Sequence, residues 1–257
     1  MTTRPRGRPP KFPPDEVRTR LLEAALTILR VSGVESGLDA VTLDGAILDA
    51  DVPRGMSYKI WREQDGTPQE AFRHATVLHI LRMPATAGLA VARDYIEAVL
   101  AARRDELESS DPQVRERLLR EIARLVGEFN HSTFANSNNW KLYSAIRTAA
   151  LTRPDTDPAV LEALQAGEEY LIEMYSKLYI EVAERIGLNL RPEYRIEEFS
   201  AAAYAVNEGL SSRLSQNHRK LGIMRETGPD GAPQEWTLFA IAFEALIDKF
   251  FEWNDVG

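Results

Sequence analysis

The chain of 257 residues contains no cysteine, which excludes a disulfide framework, a thiol nucleophile, a zinc ribbon and an iron–sulfur cluster. Histidine is scarce too, with four in all. His74 and His79 stand five apart, on different faces of any helix, and His131 and His218 are isolated. No His-x-x-x-His pair, Gly-x-Ser-x-Gly elbow, phosphate-binding glycine loop or dinucleotide fingerprint occurs. The expectation is a protein without catalytic residues, metal or cofactor. Long apolar runs are missing as well. Long uncharged stretches, such as Met83–Ala92 and Phe199–Asn207, fall far short of the roughly 20 apolar residues that span a bilayer. No apolar segment follows Met1, so a cytoplasmic protein with no membrane partner is expected. Runs of alternating apolar and polar residues are also absent, which leaves little room for strands.

What remains is an ordinary globular composition, with 44% hydrophobic and 27% charged residues. The net charge of −8 is unevenly spread. Residues 1–11 carry Arg4, Arg6, Arg8 and Lys11 and no acid. Residues 1–62 carry 10 basic and 8 acidic side chains, whereas 63–257 carry 21 and 31. A small basic end on a large acidic body suits a protein that meets a polyanion at one end only, because the acidic body repels it elsewhere.

Residues 1–14, with five prolines, read as an extended basic arm. Val17, Leu21, Ala24, Ala25 and Ile28 then recur at helical spacing behind Asp15 and Glu16, with Gly33 as the stop. A short helix over 43–50 follows, with Thr42 as N-cap. Val52–Pro53 breaks the chain, and a third short helix runs to about Trp61. Beyond a break at 64–68, helices are expected over 69–83, 88–107, 113–129, 140–151, 159–186, 197–220 and 235–251. The fold class is all-α: a head over 15–64 and a larger helical domain over 65–257.

Three short helices with a tight turn between the last two describe a helix-turn-helix. The third helix, from Pro53 through Arg54, Gly55, Ser57, Tyr58 and Lys59 to Trp61, has the chemistry of a recognition helix. Arg54 and Lys59 can reach phosphates or guanine edges, Ser57 a base edge and Tyr58 a phosphate, and Gly55 permits close approach. Ile60 and Trp61 face the head's core. An amphipathic helix with incidental basic residues would carry the same composition.

Leu21 to Trp61 resembles the DNA-binding domain of the TetR (tetracycline repressor) family. Thr42 opening the second helix, Val52 closing the turn, Gly55 inside the third helix, and Tyr58 three before the aromatic Trp61 match that pattern in type and spacing. The family's turn glycine is Asp51 here, a residue that tolerates a left-handed conformation. Its small packing alanine is Ile47, with Ala46 beside it. The resemblance implies that Thr42 and Tyr58 grip phosphates and that Pro53–Lys59 meets the major groove. The segment from Arg4 to Pro9 separately resembles an AT-hook core, in which Arg-Gly-Arg lies in an A·T-rich minor groove. A solvated basic tail is the alternative.

In the last two expected helices, Phe199, Ala203, Val206, Leu210 and Leu214 form one apolar stripe beside several small residues. Trp236, Phe239, Phe243, Leu246 and Phe250, with their neighbours, surround nearly the whole of the final helix. A helix apolar all round needs cover on both sides. A second copy would supply it through a four-helix interface, as the resemblance also implies, and further helices of the same chain are the alternative. A homodimer would read a palindromic operator on double-stranded DNA. The resemblance places a small-molecule effector pocket in the body, where Phe129, His131, Phe134, Trp140, Tyr143, Tyr170, Met174 and Tyr175 lie. The same residues at helical spacing also suit plain core. The reading is a homodimeric repressor released by an effector. A ligand-independent, A·T-preferring architectural regulator, or a helical ligand-binding protein with a degenerate head, are the alternatives.

Overall fold

Helix α1 (Pro14–Ser32) begins with Asp15 and Glu16 in its first turn, where the helix dipole favours acids, and turns Val17, Leu21, Leu22, Ala25 and Leu29 inward. In the computed structural model, which describes residues 12–32, 38–62, 66–217, 222–228 and 231–254, α2 (Leu43–Ala50) and α3 (Arg54–Arg62) pack on that face. Side chains are described there except at 83, 84, 87 and 213–217. The arm residues Arg4, Arg6, Arg8 and Lys11, the Leu214 side chain and His218 lie outside the described residues.

The described residues form two compact units. The first comprises residues up to 81 together with 142–167, and the second 82–141 together with 168 onward. In the first unit the core gathers Val17, Leu21, Leu29, Val41, Leu43, Ala46 and Trp61, all at most 1% exposed. Trp61 meets Phe72 edge-on at 5.5 Å. Gln69 holds the start of α2 by accepting from the Leu43 N–H at 2.7 Å and donating to the Val41 carbonyl at 2.9 Å.

Helix α4 (Pro68–Ala102) is a single helix where the sequence led us to expect two with a break at Met83-Pro84. Proline's fixed φ lies within the helical range, and one forfeited backbone hydrogen bond does not end a helix with several turns on either side. The remaining helices are α5 (Arg104–Leu107), α6 (Pro112–Asn136), α7 (Asn138–Thr152), α8 (Pro158–Ile186), α9 (Ile196–Asn217) and α10 (Leu238–Phe250). Asp111 caps α6 by accepting from the Gln113 N–H at 2.9 Å, and Pro112 occupies the first turn where no donor is needed.

Among the described residues, four short strands accompany these helices, against the expectation of none. β1 (Leu188–Leu190) pairs antiparallel with β4 (Phe251–Trp253), and β2 (Gly222–Glu226) with β3 (Pro233–Thr237). The final helix is therefore shorter than expected. Residues 233–237 are strand, and Thr237 caps α10 through the Ala240 N–H at 3.1 Å. The second unit's core is built by α6, α9 and α10 around Leu119, Ala123, Phe199, Ala203, Phe239, Phe243 and Ile247.

Candidate nucleic-acid interface

The head's local chemistry sets the α2–α3 geometry. Thr42 Oγ1 accepts from the Gly45 N–H at 3.0 Å and fixes the start of α2. Asp51 ends it in the left-handed region (φ 49°, ψ 50°), its N–H donating to the Ile47 carbonyl. An aspartate thus does what a glycine would do at this turn, at the strain cost of a non-glycine residue there. Ala46 is fully buried while Ile47 is half-buried, so Ala46 provides the close contact between the helices.

Helix α3 presents Pro53, Arg54, Gly55 and Lys59 exposed, with Tyr58 half-buried. A methyl group added at Gly55 would meet nothing within 4 Å, so this turn of backbone is open to a large partner. Thr42 is also exposed. Its oxygen serves the cap while its own proton stays available, as a phosphate contact requires. Ser57 requires a correction. It is 0% exposed, and its hydroxyl donates to the Pro53 carbonyl at 3.0 Å. Three positions after Arg54 and one before Tyr58, its side chain is buried on the packed face, so Ser57 does not reach a base edge.

Asp44, in the first turn of α2, is a residue of this surface that sequence reasoning passed over. Its Oδ2 accepts from Arg54 Nη2 at 3.0 Å and its Oδ1 from the Tyr58 hydroxyl at 3.0 Å. One carboxylate holds Arg54 and Tyr58, two of the side chains expected to meet DNA. The clue was an acid in a surface otherwise read as basic. Phe12, near the end of the segment expected to form the arm, lies under the Arg20 guanidinium at 4.2 Å.

The aromatic residues named for an effector pocket disperse. Phe134 and Tyr175 line a cavity of about 10 Å³ with Asn130, Tyr179, Ser200 and Asn207. Trp140 packs edge-on against Phe134 at 4.8 Å and Tyr204 at 5.6 Å. His131 donates from Nδ1 to Asn207 Oδ1 at 3.1 Å and stacks on Phe239 at 5.7 Å. Phe129 stacks on Tyr95 at 4.6 Å, and the Tyr170 hydroxyl meets Thr86 Oγ1 at 3.0 Å near the surface. Met174 is half-buried on α8, and Tyr143 belongs to the first unit's core.

A larger cavity in the second unit, about 40 Å³, is lined by none of the eight. Its walls are apolar, including Ile96, Ile122, Val126, Val182 and Phe199, with Tyr179 the one polar side chain among the described lining residues. Desolvation pushes the phenols of Tyr175 and Tyr179 well above the usual tyrosine range, with an Asn130 hydrogen bond opposing it at Tyr179. Both remain neutral donors.

The proposed interface residues on the last two helices need a second correction. Phe199, Ala203, Trp236, Phe239 and Phe243 are between 0% and 5% exposed within a single chain. Trp236 lies on β3 rather than in the helix, under the Arg225 guanidinium at 4.3 Å, and its indole N–H donates to Thr227 Oγ1 at 2.7 Å. Arg225 in turn donates to Glu244. The chain's own α6, α9 and β3 pack against α10 and cover much of its apolar surface within one protomer. Val206, Leu210, Leu246 and Phe250 are half-buried against the same core. On α9, Glu197 and Glu198 are exposed in the first turn, and farther along, among the described side chains, Ala205, Gly209 and Ser212 are exposed and small.

The sequence matches no protein-family model and no curated protein significantly. The fold matches a Rhodococcus sp. protein described as a TetR-family transcriptional regulator at a TM-score of 0.50 and 14% identity, over 93% of this chain and 100% of that one. A TetR-family protein from Shewanella sp. PV-4 aligns at 0.48 and 14% identity over 92% and 98% of the two chains. NalD of Pseudomonas aeruginosa, described as the secondary repressor of the MexAB-OprM multidrug efflux pump, aligns at 0.42 and 16% identity over 95% and 99%. The chain has the all-α fold of the TetR-family transcriptional regulators.

Proposed function

We propose that this protein is a TetR-type transcriptional regulator that binds a palindromic operator as a homodimer. The observation that carries this reading is the α2–α3 pair. Thr42 caps it, Asp51 turns it, and it presents Arg54, Gly55 and Lys59 outward on a surface where Gly55 leaves the backbone open. A helix of nine residues covers too few base pairs for useful selectivity, so a two-fold pair of heads is the economical reader. The basic arm adds salt-dependent attraction and inserts into an A·T-rich minor groove.

The dimer forms through the α9 face bearing Ala205, Gly209 and Ser212, where small side chains allow close approach between helices. An effector occupies the apolar cavity around Tyr179 and releases the protein, a repressor, from its operator. Selection of bound sites from random duplex DNA by the purified protein tests the reading. Enrichment of a palindrome supports it, and no enrichment overturns it. For the effector, linkage requires that ligand and operator weaken each other's binding by the same factor.

A further inference from the structure

Asp44 holds the two donors that the proposed DNA contact needs, through one oxygen each at 3.0 Å. The arrangement is exposed: side-chain exposure is 55% for Asp44 and 70% for Arg54. Arg54 also lies over the Tyr58 ring, with its guanidinium carbon 5.7 Å from the centroid. A DNA phosphate offers donors what this carboxylate offers, two oxygens sharing negative charge. We propose that Asp44 is a specificity-determining residue of the head, an internal stand-in for a phosphate that Arg54 and Tyr58 leave only for DNA offering further contacts. The inference rests on the DNA-binding reading above.

The physical basis is an unequal penalty. Random duplex is held almost wholly through phosphates. It must displace Asp44 from Arg54 and Tyr58 and then tolerate that carboxylate beside its backbone, with little else in return. A cognate site faces the same displacement but adds base-edge contacts that Asp44 does not oppose. Asp44 therefore weakens non-specific binding more than specific binding. An exposed pair exchanges readily, so the hold is a filter and not a block. It also keeps two long side chains ordered before DNA arrives, which lowers the entropy lost on binding.

The test compares the full-length protein with Asp44→Asn and Asp44→Glu, on random-sequence duplex and on the duplex recovered by site selection. Asp44→Asn is expected to tighten random-duplex binding by about 3- to 10-fold and to steepen the log–log salt dependence by about one unit. Selected-site affinity should change less, so the ratio of the two falls. Asp44→Glu, which keeps the charge, should stay near the parent. Thermal unfolding checks that the head remains folded, and Asp44→Ser, suited to a helix start, replaces Asn if it does not. Random-duplex affinity and salt slope equal to the parent's overturn the inference alone. So does a loss confined to the selected site, since Asp44 would then be reading a base. If the parent binds neither duplex, this inference and the DNA-binding reading fall together.

Discussion

The carboxylate of Asp39, in the turn before α2, accepts from Arg153 Nη1 at 2.9 Å across 114 residues of sequence. Arg153 also donates to Asp155 from Nε and Nη2, at 3.3 and 3.2 Å. The hydrogen bonds to Asp155 and Asp39 hold its guanidinium charged far above any accessible pH, and Arg153 holds the Asp155 carboxyl below its ordinary range. Arg73 stands farther off, 3.8 Å from Asp39 and 3.7 Å from Asp157. The cluster ties the entrance of the helix-turn-helix to the turn between α7 and α8. Arg73 and Asp157 are mostly covered, but Asp39, Arg153 and Asp155 are solvated, so the hold between them is modest. A double-mutant cycle on Asp39→Asn and Arg153→Ala, read by urea unfolding, should give a small favourable coupling that shrinks as salt rises.

Packing at Gly127 should be far less forgiving. A methyl group there would approach Ala240 Cα to 3.0 Å and Cβ to 3.2 Å, so α6 and α10 meet backbone to backbone. Gly127→Ala gains up to about 1 kcal/mol in helix propensity. Overpacking against a neighbour's backbone costs about 1–3 kcal/mol, so the loss wins. The variant is expected to unfold at lower urea with an unchanged slope.

The head was legible in the sequence because its determinants are local. The Thr42 cap, the Asp51 turn and the buried Ala46, Val52 and Trp61 lie within 20 residues of one another, and periodicity or turn chemistry marks each. The strands were not legible. In β2, Gly222, Ile223, Met224 and Glu226 are all exposed, so no alternation betrays it, and β1 finds β4 only across the whole of α9 and α10. On α10, Phe239, Phe243 and Ile247 are buried within the protomer while Leu246 and Phe250 are half-buried, and one sequence cannot tell a neighbour in the same chain from a neighbour in another. The same limit explains Asp44. Its contacts to Arg54 and Tyr58 reach across the turn and depend on the angle between α2 and α3, which the residue pattern does not specify.

His79 gives the protein a pH dependence with a definite sign. Burial lowers its pKa below the ordinary 6.5, with the nearby Glu23 charge opposing, and Nε2 has no hydrogen-bond partner among the described residues. The unfolded chain then takes up a proton near pH 6.5 while the folded chain resists it. This stability is complete above 6.5 and is lost progressively as pH falls from 6.5 towards the depressed folded value. The thermal midpoint should decline over that interval in the parent and decline less in His79→Leu. Equal declines would show that other groups govern the effect.

The dimer proposal separates two kinds of α9 residue. Phe199 is 1% exposed in the protomer's own core, so Phe199→Ala should cost about 3–5 kcal/mol of folding stability. At Gly209 an added methyl meets nothing within 4 Å, so Gly209→Leu should leave the protomer folded. If a second copy packs closely on this face, the leucine costs about 1–3 kcal/mol there. The dimer dissociation constant should then rise roughly tenfold or more by sedimentation, since tenfold is about 1.4 kcal/mol. A protein whose association ignores Gly209→Leu does not dimerise through this face.

Gly55 separates a folding requirement from a binding requirement at the centre of the interface. It sits inside α3, has no left-handed backbone, and faces open space. Nothing in the free protein therefore needs a glycine, and a glycine inside a helix costs about 0.5–1 kcal/mol relative to alanine. Gly55→Ala should raise stability by about that amount in urea unfolding. If α3 brings its backbone against DNA, the same methyl group meets the duplex and should weaken binding to the selected site by about tenfold, equivalent to about 1.4 kcal/mol. A variant that is both more stable and equally tight on DNA would mean that Arg54, Tyr58 and Lys59 reach the duplex from farther away, with the helix backbone outside contact range.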